Sequence, residues 1–139
     1  MSSFTAPLVV EPLDDGRQWR LVGAFEYHVG TLDSDEVIKV PAGFVTDFAS
    51  VPRLFWSILP PWAKYGKAAV IHDFCYKTEL YPRKRCDGIF REGMEVLDVS
   101  RWKRSAMYRA VRMFGWIVWR THTVESVTQY KQKFIDIGQ

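Results

Sequence analysis

The sequence has only two cysteines, Cys75 and Cys86, in 139 residues, too few for the disulfide-dense framework of a small secreted domain. They are left as one bridge or two thiols. No apolar run reaches the roughly 20 residues needed to span a bilayer, because Arg112 and Arg120 interrupt the longest candidate. The chain therefore reads as soluble or peripheral. Its first residues, MSSFTAPLVVEPLDDG, show no basic stretch ahead of an apolar core of signal-peptide length, so no export signal is expected. Also missing are a glycine-rich phosphate loop, a GxSxG elbow, an HExxH run and any C-x₂-C or H-x₃-H pair. These absences remove support for nucleotide hydrolysis, for serine-esterase chemistry and for a zinc site built from His28, His72, His122 and the cysteines.

What is present is an ordinary globular composition, 47% hydrophobic and 25% charged, in a length suited to one domain with a single core spanning residues 1–139. Six tryptophans are many for so short a chain, and large aromatics at this density point to a contact surface and to self-association. The net charge of +3 conceals a gradient: residues 1–50 carry 3 basic against 8 acidic side chains, and residues 101–139 carry 8 against 2. A basic end suits nucleic acid or an anionic lipid surface. No nucleic-acid motif accompanies it, so the membrane surface is the expected partner of the two.

Patterning predicts an α+β fold. Short strands are expected at Ala6–Val10, at Trp19–Tyr27 after the turn Asp14-Asp15-Gly16, and at Val37–Val40, forming a small antiparallel sheet. Residues 41–63 hold four prolines and read as an ordered aromatic loop, with Ser50 capping a helical turn after Pro52. Three helices follow, at about Lys64–Leu80, Cys86–Leu97 and Arg101–Arg120, the first two as an antiparallel pair and the third capped by Ser100. On the third, Trp102, Ala106, Ala110, Met113, Phe114 and Ile117 share a face expected to pack on the core, with Arg101, Arg104, Arg109 and Arg112 on a solvated back. A helix lying on a membrane surface shows the same asymmetry. The last twenty residues stay unassigned.

The segment IHDFCYKTELYPRKRCDGIFREGM, residues 71–94, carries the chemistry. Positions three and four apart are neighbours on a helix, so His72, Cys75 and Tyr76 share a face, and Asp73 turns about 100° from His72 toward the pocket edge. The returning helix brings Cys86, Asp87, Phe90 and Met94 against it. A partly buried Asp87 needs a partner, and His72 is the natural one: the carboxylate fixes the imidazole tautomer and leaves the other nitrogen free as a general base. Tyr76 is placed to donate to Asp87. The same three residues also serve as a hydrogen-bond network that only fixes helix packing.

His72-Asp73-Phe74-Cys75-Tyr76 followed by Cys86-Asp87 resembles the active-site helix pair of the phospholipase A₂ superfamily, HDxCY followed by CD. The resemblance implies His72 as the base that activates water, Asp73 as a Ca²⁺ ligand, Asp87 as orienter of His72, Tyr76 as its support and a disulfide between Cys75 and Cys86. A second resemblance covers roughly residues 35–118. PAGFVTDFASVPR (Pro41–Arg53), AAVIHD (Ala68–Asp73) and DGIFREGM (Asp87–Met94) are similar to a family of proteins of tailed phages and prophages that has no assigned activity, which implies a viral origin. Within its motif, Asp47 and Ser50 either cap the turn entering Pro52, with Arg53 paired to a carboxylate, or Asp47 stands beside Asp73 as a second metal ligand. The apolar loop carrying Phe55, Trp56 and Trp62 is a candidate interface, facing either a bilayer or a neighbouring subunit.

Two functions fit these features. One is a phage-encoded, Ca²⁺-dependent hydrolase of a lipid ester or another cell-envelope component, with a His72/Asp87 dyad. The other is a non-catalytic virion or tail-assembly protein, placed in the virion or the host cytoplasm.

Overall fold

A computed structural model describes residues 4, 8–14, 18–30, 36–46, 66–120 and 124–132 of the chain. The expected α+β architecture is present: five short strands precede four helices, β1 (Val10–Pro12), β2 (Trp19–Leu21), β3 (Phe25–His28), β4 (Val37–Val40), β5 (Val45–Thr46), α1 (Gly66–Thr78), α2 (Arg83–Val96), α3 (Arg101–Arg120) and α4 (Val124–Lys131). The strands form two antiparallel sheets. One has the order β1-β2-β5, with Val10 opposite Leu21 and Trp19 opposite Thr46, and the other pairs β3 with β4, Phe25 opposite Val40 and His28 opposite Val37.

The single strand expected over Trp19–Tyr27 divides at Val22-Gly23-Ala24, where a glycine without a side chain to pack weakens a strand interior. Beyond the break the period-2 pattern is regular: Phe25, Tyr27, Ile38 and Val40 point into the core, while Lys39 faces water. β5 falls within the segment expected to be loop. It is placed by a turn in which Gly43 adopts φ +92°, and by two backbone hydrogen bonds, Gly43 N to Leu21 O (2.7 Å) and Leu21 N to Phe44 O (2.8 Å). Phe44 is thereby buried edge-on against Phe74 of α1, with ring centroids 5.2 Å apart.

α1 is the central element. Nearly every residue of GKAAVIHDFCYKT is buried, and the helix packs against α2, α4, β4 and β5; a helix apolar almost all round belongs in such a position. Both α1 and α2 stop on the same motif. Leu80 N bonds Cys75 O (3.2 Å) and Glu79 N bonds Tyr76 O (3.1 Å); likewise Val99 N bonds Met94 O (3.0 Å) and Asp98 N bonds Glu95 O (3.1 Å). Glu79 (φ 44°), directly after α1, and Asp98 (φ 60°), one residue beyond the Leu97 cap of α2, are left-handed without being glycine. α2 begins one turn earlier than expected. Pro82 sits at its N-cap, a place where a missing N–H costs no helical hydrogen bond, and its carbonyl accepts from Cys86 N (3.1 Å).

The third helix has the expected bounds and the opposite orientation. Met107 and Val111 are buried against α2, with Tyr108, Arg112, Gly115 and Trp119 half-buried beside them, whereas Trp102, Ala106, Ala110, Met113, Phe114 and Ile117 face outward. Hydrophobic periodicity favoured the other face; the competing demand is the buried charge of Asp87, which Arg112 meets. The unassigned tail supplies α4, packed on α1, with the Lys77 ammonium 5.8 Å from the centre of the Tyr130 ring. Residues 6 and 7 of the first expected strand, the start of the first expected helix, and Ser50, Pro52 and Arg53 lie outside the described residues.

Because Asp98 is exposed and holds a conformation that L-residues enter at a cost of roughly 1–2 kcal/mol, Asp98→Gly is expected to stabilise the fold by about 0.5–1 kcal/mol. Urea unfolding with an unchanged m-value measures it, and a lower midpoint contradicts it.

Candidate functional site

The site forms where α1 and α2 cross closely. Gly93 of α2 lies against Ala68 of α1, so near that a Cβ at position 93 would stand 3.1 Å from the Ala68 Cβ. That approach sets His72 opposite Asp87 and Cys75 opposite Cys86. His72 Nε2 is 2.7 Å from Asp87 Oδ1, and the Tyr76 hydroxyl donates to the same oxygen at 2.6 Å. The imidazole stacks between Tyr76 and Phe90, with centroids 4.2 and 4.7 Å away. All four side chains are buried, Asp87 completely.

Two arginines, not singled out from sequence, complete the arrangement. Arg112 of α3 donates from Nη1 to Asp87 Oδ2 at 2.7 Å, and Arg83, one turn before Asp87, reaches the same oxygen at 3.4 Å. Arg83 also donates to the carbonyls of Val111 (3.0 Å) and Arg112 (3.3 Å), tying α2 to the backbone of α3. Gly115 gives the room for this contact: a Cβ there would lie 2.5 Å from the Tyr76 Oη and 3.1 Å from Arg83 Nη1. In the sequence, Met107, Val111, Gly115 and Trp119 form an i, i+4 stripe flanked by Arg112, a signal that the stronger apolar periodicity on the other side obscures.

The electrostatics follow from the donors. Burial alone would raise the Asp87 carboxyl, but hydrogen bonds from His72 and Tyr76 and from the Arg112 guanidinium hold it below its ordinary value of 3.8. An ionised carboxylate only accepts, so the proton of the His72–Asp87 contact belongs to Nε2. Nδ1 then carries the lone pair. It is buried and meets no hydrogen-bond partner among the described residues, one of two such atoms, the other being His28 Nδ1 on β3. The Tyr76 hydroxyl is raised by burial and by its bond to Asp87, and stays protonated as a donor.

Cys75 and Cys86 are brought together as free, buried thiols. The Cys75 thiol is raised by its hydrogen bond to Cys86 and by burial, and Cys86 donates to Tyr81 O at 3.4 Å. The Asp73 carboxylate is buried and ion-paired with Lys77 at 3.3 Å, an ammonium that also donates to Val45 O. Asp47, Phe55, Trp56 and Trp62 lie outside the described residues. Among the described residues no group of three or more His, Cys, Asp or Glu is placed to hold a metal ion. Among the described residues Asp73, ion-paired with Lys77, is alone too few for the six to eight oxygen ligands of Ca²⁺.

The fold and site together define an α+β protein whose antiparallel helix pair encloses a His–Asp–Tyr triad braced by two arginines. The chain belongs to the family described as "Protein of unknown function (DUF1353)", whose model matches residues 19–111. That span contains His72, Tyr76, Arg83 and Asp87 and stops just short of Arg112 and Gly115. The chain is also similar to the "Uncharacterized protein y4jT" of Sinorhizobium fredii, 41% identical over 78 residues, which are 55% of this chain and 23% of that protein. It thus spans less than a quarter of that relative's length. No solved structure gives a significant match.

Arg112→Ala leaves Asp87 Oδ2 with only the longer contact to Arg83 and is expected to cost about 1–3 kcal/mol in urea unfolding. The folded-state carboxyl of Asp87 lies below its unfolded value, so its contribution is present above about pH 4 and is lost as pH falls through the folded-state value. Asp87→Asn should therefore flatten the acid limb of the stability–pH curve. An acid limb equally steep in the variant would assign it to other carboxylates.

Proposed function

We propose that this chain is a hydrolase in which His72 is the general base, acting on a lipid ester or a similar ester of the cell envelope. The observation that carries the reading is the His72 imidazole itself: Nε2 is fixed on Asp87 while Nδ1 is buried with its lone pair unmet among the described residues. A buried acceptor with no partner is costly, and a water molecule or a substrate hydrogen at Nδ1 would satisfy it. In the reaction, water bound at Nδ1 gives its proton to the ring as its oxygen attacks the ester carbonyl carbon. The ring then returns that proton to the departing alkoxide as the carbon–oxygen bond breaks. Asp87 holds the ring in place and stabilises its protonated form, and Tyr76, Arg83 and Arg112 hold Asp87.

The resemblance to the phospholipase A₂ helix pair supports the same assignment of His72, Asp87 and Tyr76. Among the described residues the oxygen donors are too few for Ca²⁺, and the steps above use protein side chains and water alone. Calcium at Asp73 is a separate proposal, checked by calorimetric titration with Asp73→Asn as control: saturable binding that the variant loses would return the metal to the site. The resemblance of Pro41–Arg53, Ala68–Asp73 and Asp87–Met94 to tailed-phage and prophage proteins supports a viral origin, with the protein in the virion or the host cytoplasm.

A second reading is favoured by one observation, that the donors to Asp87 come from α1, α2 and α3 and so knit the three helices as a structural network does. Under it the chain is a non-catalytic virion or tail-assembly protein, self-associating or bound to partner proteins.

The experiment is ester hydrolysis on dispersed phospholipid and on a soluble short-chain ester, comparing the wild type with His72→Ala. A loss of at least about 100-fold in turnover, the scale of general-base catalysis, with an unchanged far-UV spectrum, is the expected outcome. Equal turnover in the variant overturns the assignment. A wild type inactive on both esters that co-purifies with phage particles favours the second reading.

A further inference from the structure

Helix α3 is two-sided. Its inner stripe, Met107, Val111 and Gly115, faces α2, while a second apolar stripe on the opposite side stands in water: Trp102 is 60% exposed, Met113 62%, Phe114 60% and Ile117 50%, with Trp116 at the border. Twenty residues make this face about 30 Å long. Contiguous apolar surface of this extent marks an interaction site.

The charges on the helix select among occupants. α3 carries Arg101, Lys103, Arg104, Arg109, Arg112 and Arg120 and no acidic residue at all. Arg101, Arg109 and Arg120 are exposed, with Arg109 and Arg120 at the edge of the apolar stripe, within about 20° of Trp102, and Arg101 about 100° round the helix from it. Two cations stand over its tryptophans, the Lys103 ammonium 5.7 Å from the Trp102 ring centre and the Arg120 guanidinium 5.3 Å from that of Trp116. A second copy of the helix would bring arginine against arginine with no carboxylate of α3 to pair them. An anionic surface would pair them all. Amphipathic helices with tryptophan and phenylalanine on one side and arginine along the borders lie in the headgroup–acyl boundary. No helix of the described residues is long and apolar enough to cross a membrane.

We infer that α3 docks the protein on an anionic lipid bilayer, lying in the plane of the interface with Trp102, Met113, Phe114 and Ile117 in the acyl boundary and Arg101, Arg109 and Arg120 at the headgroup phosphates. The binding does not require turnover. As the route by which a hydrolase meets a lipid ester it rests on the function proposed above.

The test is co-sedimentation of the full chain with vesicles of phosphatidylcholine alone and of phosphatidylcholine mixed with phosphatidylglycerol. Partitioning at least about tenfold stronger onto the mixed vesicles is expected, since each basic side chain near an anionic surface contributes on the order of 1 kcal/mol. Binding should weaken as salt rises and bring a blue shift of tryptophan fluorescence. Phe114→Asp and Arg109→Glu, both at exposed positions, should each reduce it several-fold with unchanged melting, and His72→Ala should bind as the wild type does. That last result separates docking from catalysis, and a wild type that binds vesicles but hydrolyses neither ester leaves the docking intact and removes the hydrolase. Absence of the folded wild type from the mixed vesicles at low salt overturns the inference. So does a dimer in sedimentation equilibrium that Phe114→Asp dissociates, which assigns the face to a second copy.

Discussion

The buried carboxylate of Asp87 is the constraint around which the helical region is arranged. Removing an ion from water costs several kcal/mol even after relaxation, and Asp87 has no exposure with which to recover hydration. Its two oxygens instead accept from four side chains on three helices, His72 and Tyr76 on α1, Arg83 on α2 and Arg112 on α3. The demand propagates outward. α1 and α2 must approach to within contact of Ala68 and Gly93, and α3 must turn its arginine inward, which leaves its more apolar side facing out.

The same network defines what His72 can do. A ring held at one nitrogen by an acceptor, and walled by Tyr76 and Phe90, has a fixed orientation. Catalysis and simple bracing share every contact on the Asp87 side of the ring. They differ only at Nδ1, where a brace would want a partner and a base would want a reactant. The local charge, two guanidinium groups against one carboxylate, distinguishes this site from a dyad in which the carboxylate has only the imidazole to neutralise it.

Much of this was legible in the sequence where the signal is local. The spacing of His72, Cys75 and Tyr76 places them on one helix face, and a turn carrying Pro82 returns Asp87 to meet them; alternation along Val37–Val40 identifies β4, and β2 and most of β3 lie within the one strand expected over Trp19–Tyr27. Short or non-local features were not legible. β5 is two residues long and exists through pairing with Trp19 and Arg20, aligned by the backbone bonds that join Gly43 and Phe44 to Leu21, and the break at Gly23 divides a strand whose side chains suit continuity. α4 has no apolar periodicity strong enough to announce it. The orientation of α3 was misread because hydrophobic pattern treats arginine as solvated, whereas Arg112 answers a carboxylate 25 positions away. Charge compensation across that separation leaves no trace in a window of one helix.

Gly115 shows how little separates this arrangement from a different one. With no methyl at that position, the backbone of α3 settles onto the Tyr76 hydroxyl, and a single added carbon would meet that oxygen at 2.5 Å. The spacing so fixed also sets the local dielectric. Were α3 held farther off, water would enter between the helices, hydrate Asp87 directly and screen it from Arg112 and His72. One absent side chain therefore sets how closely α3 covers Asp87, and the strength of the charged contact from Arg112 depends on that closeness.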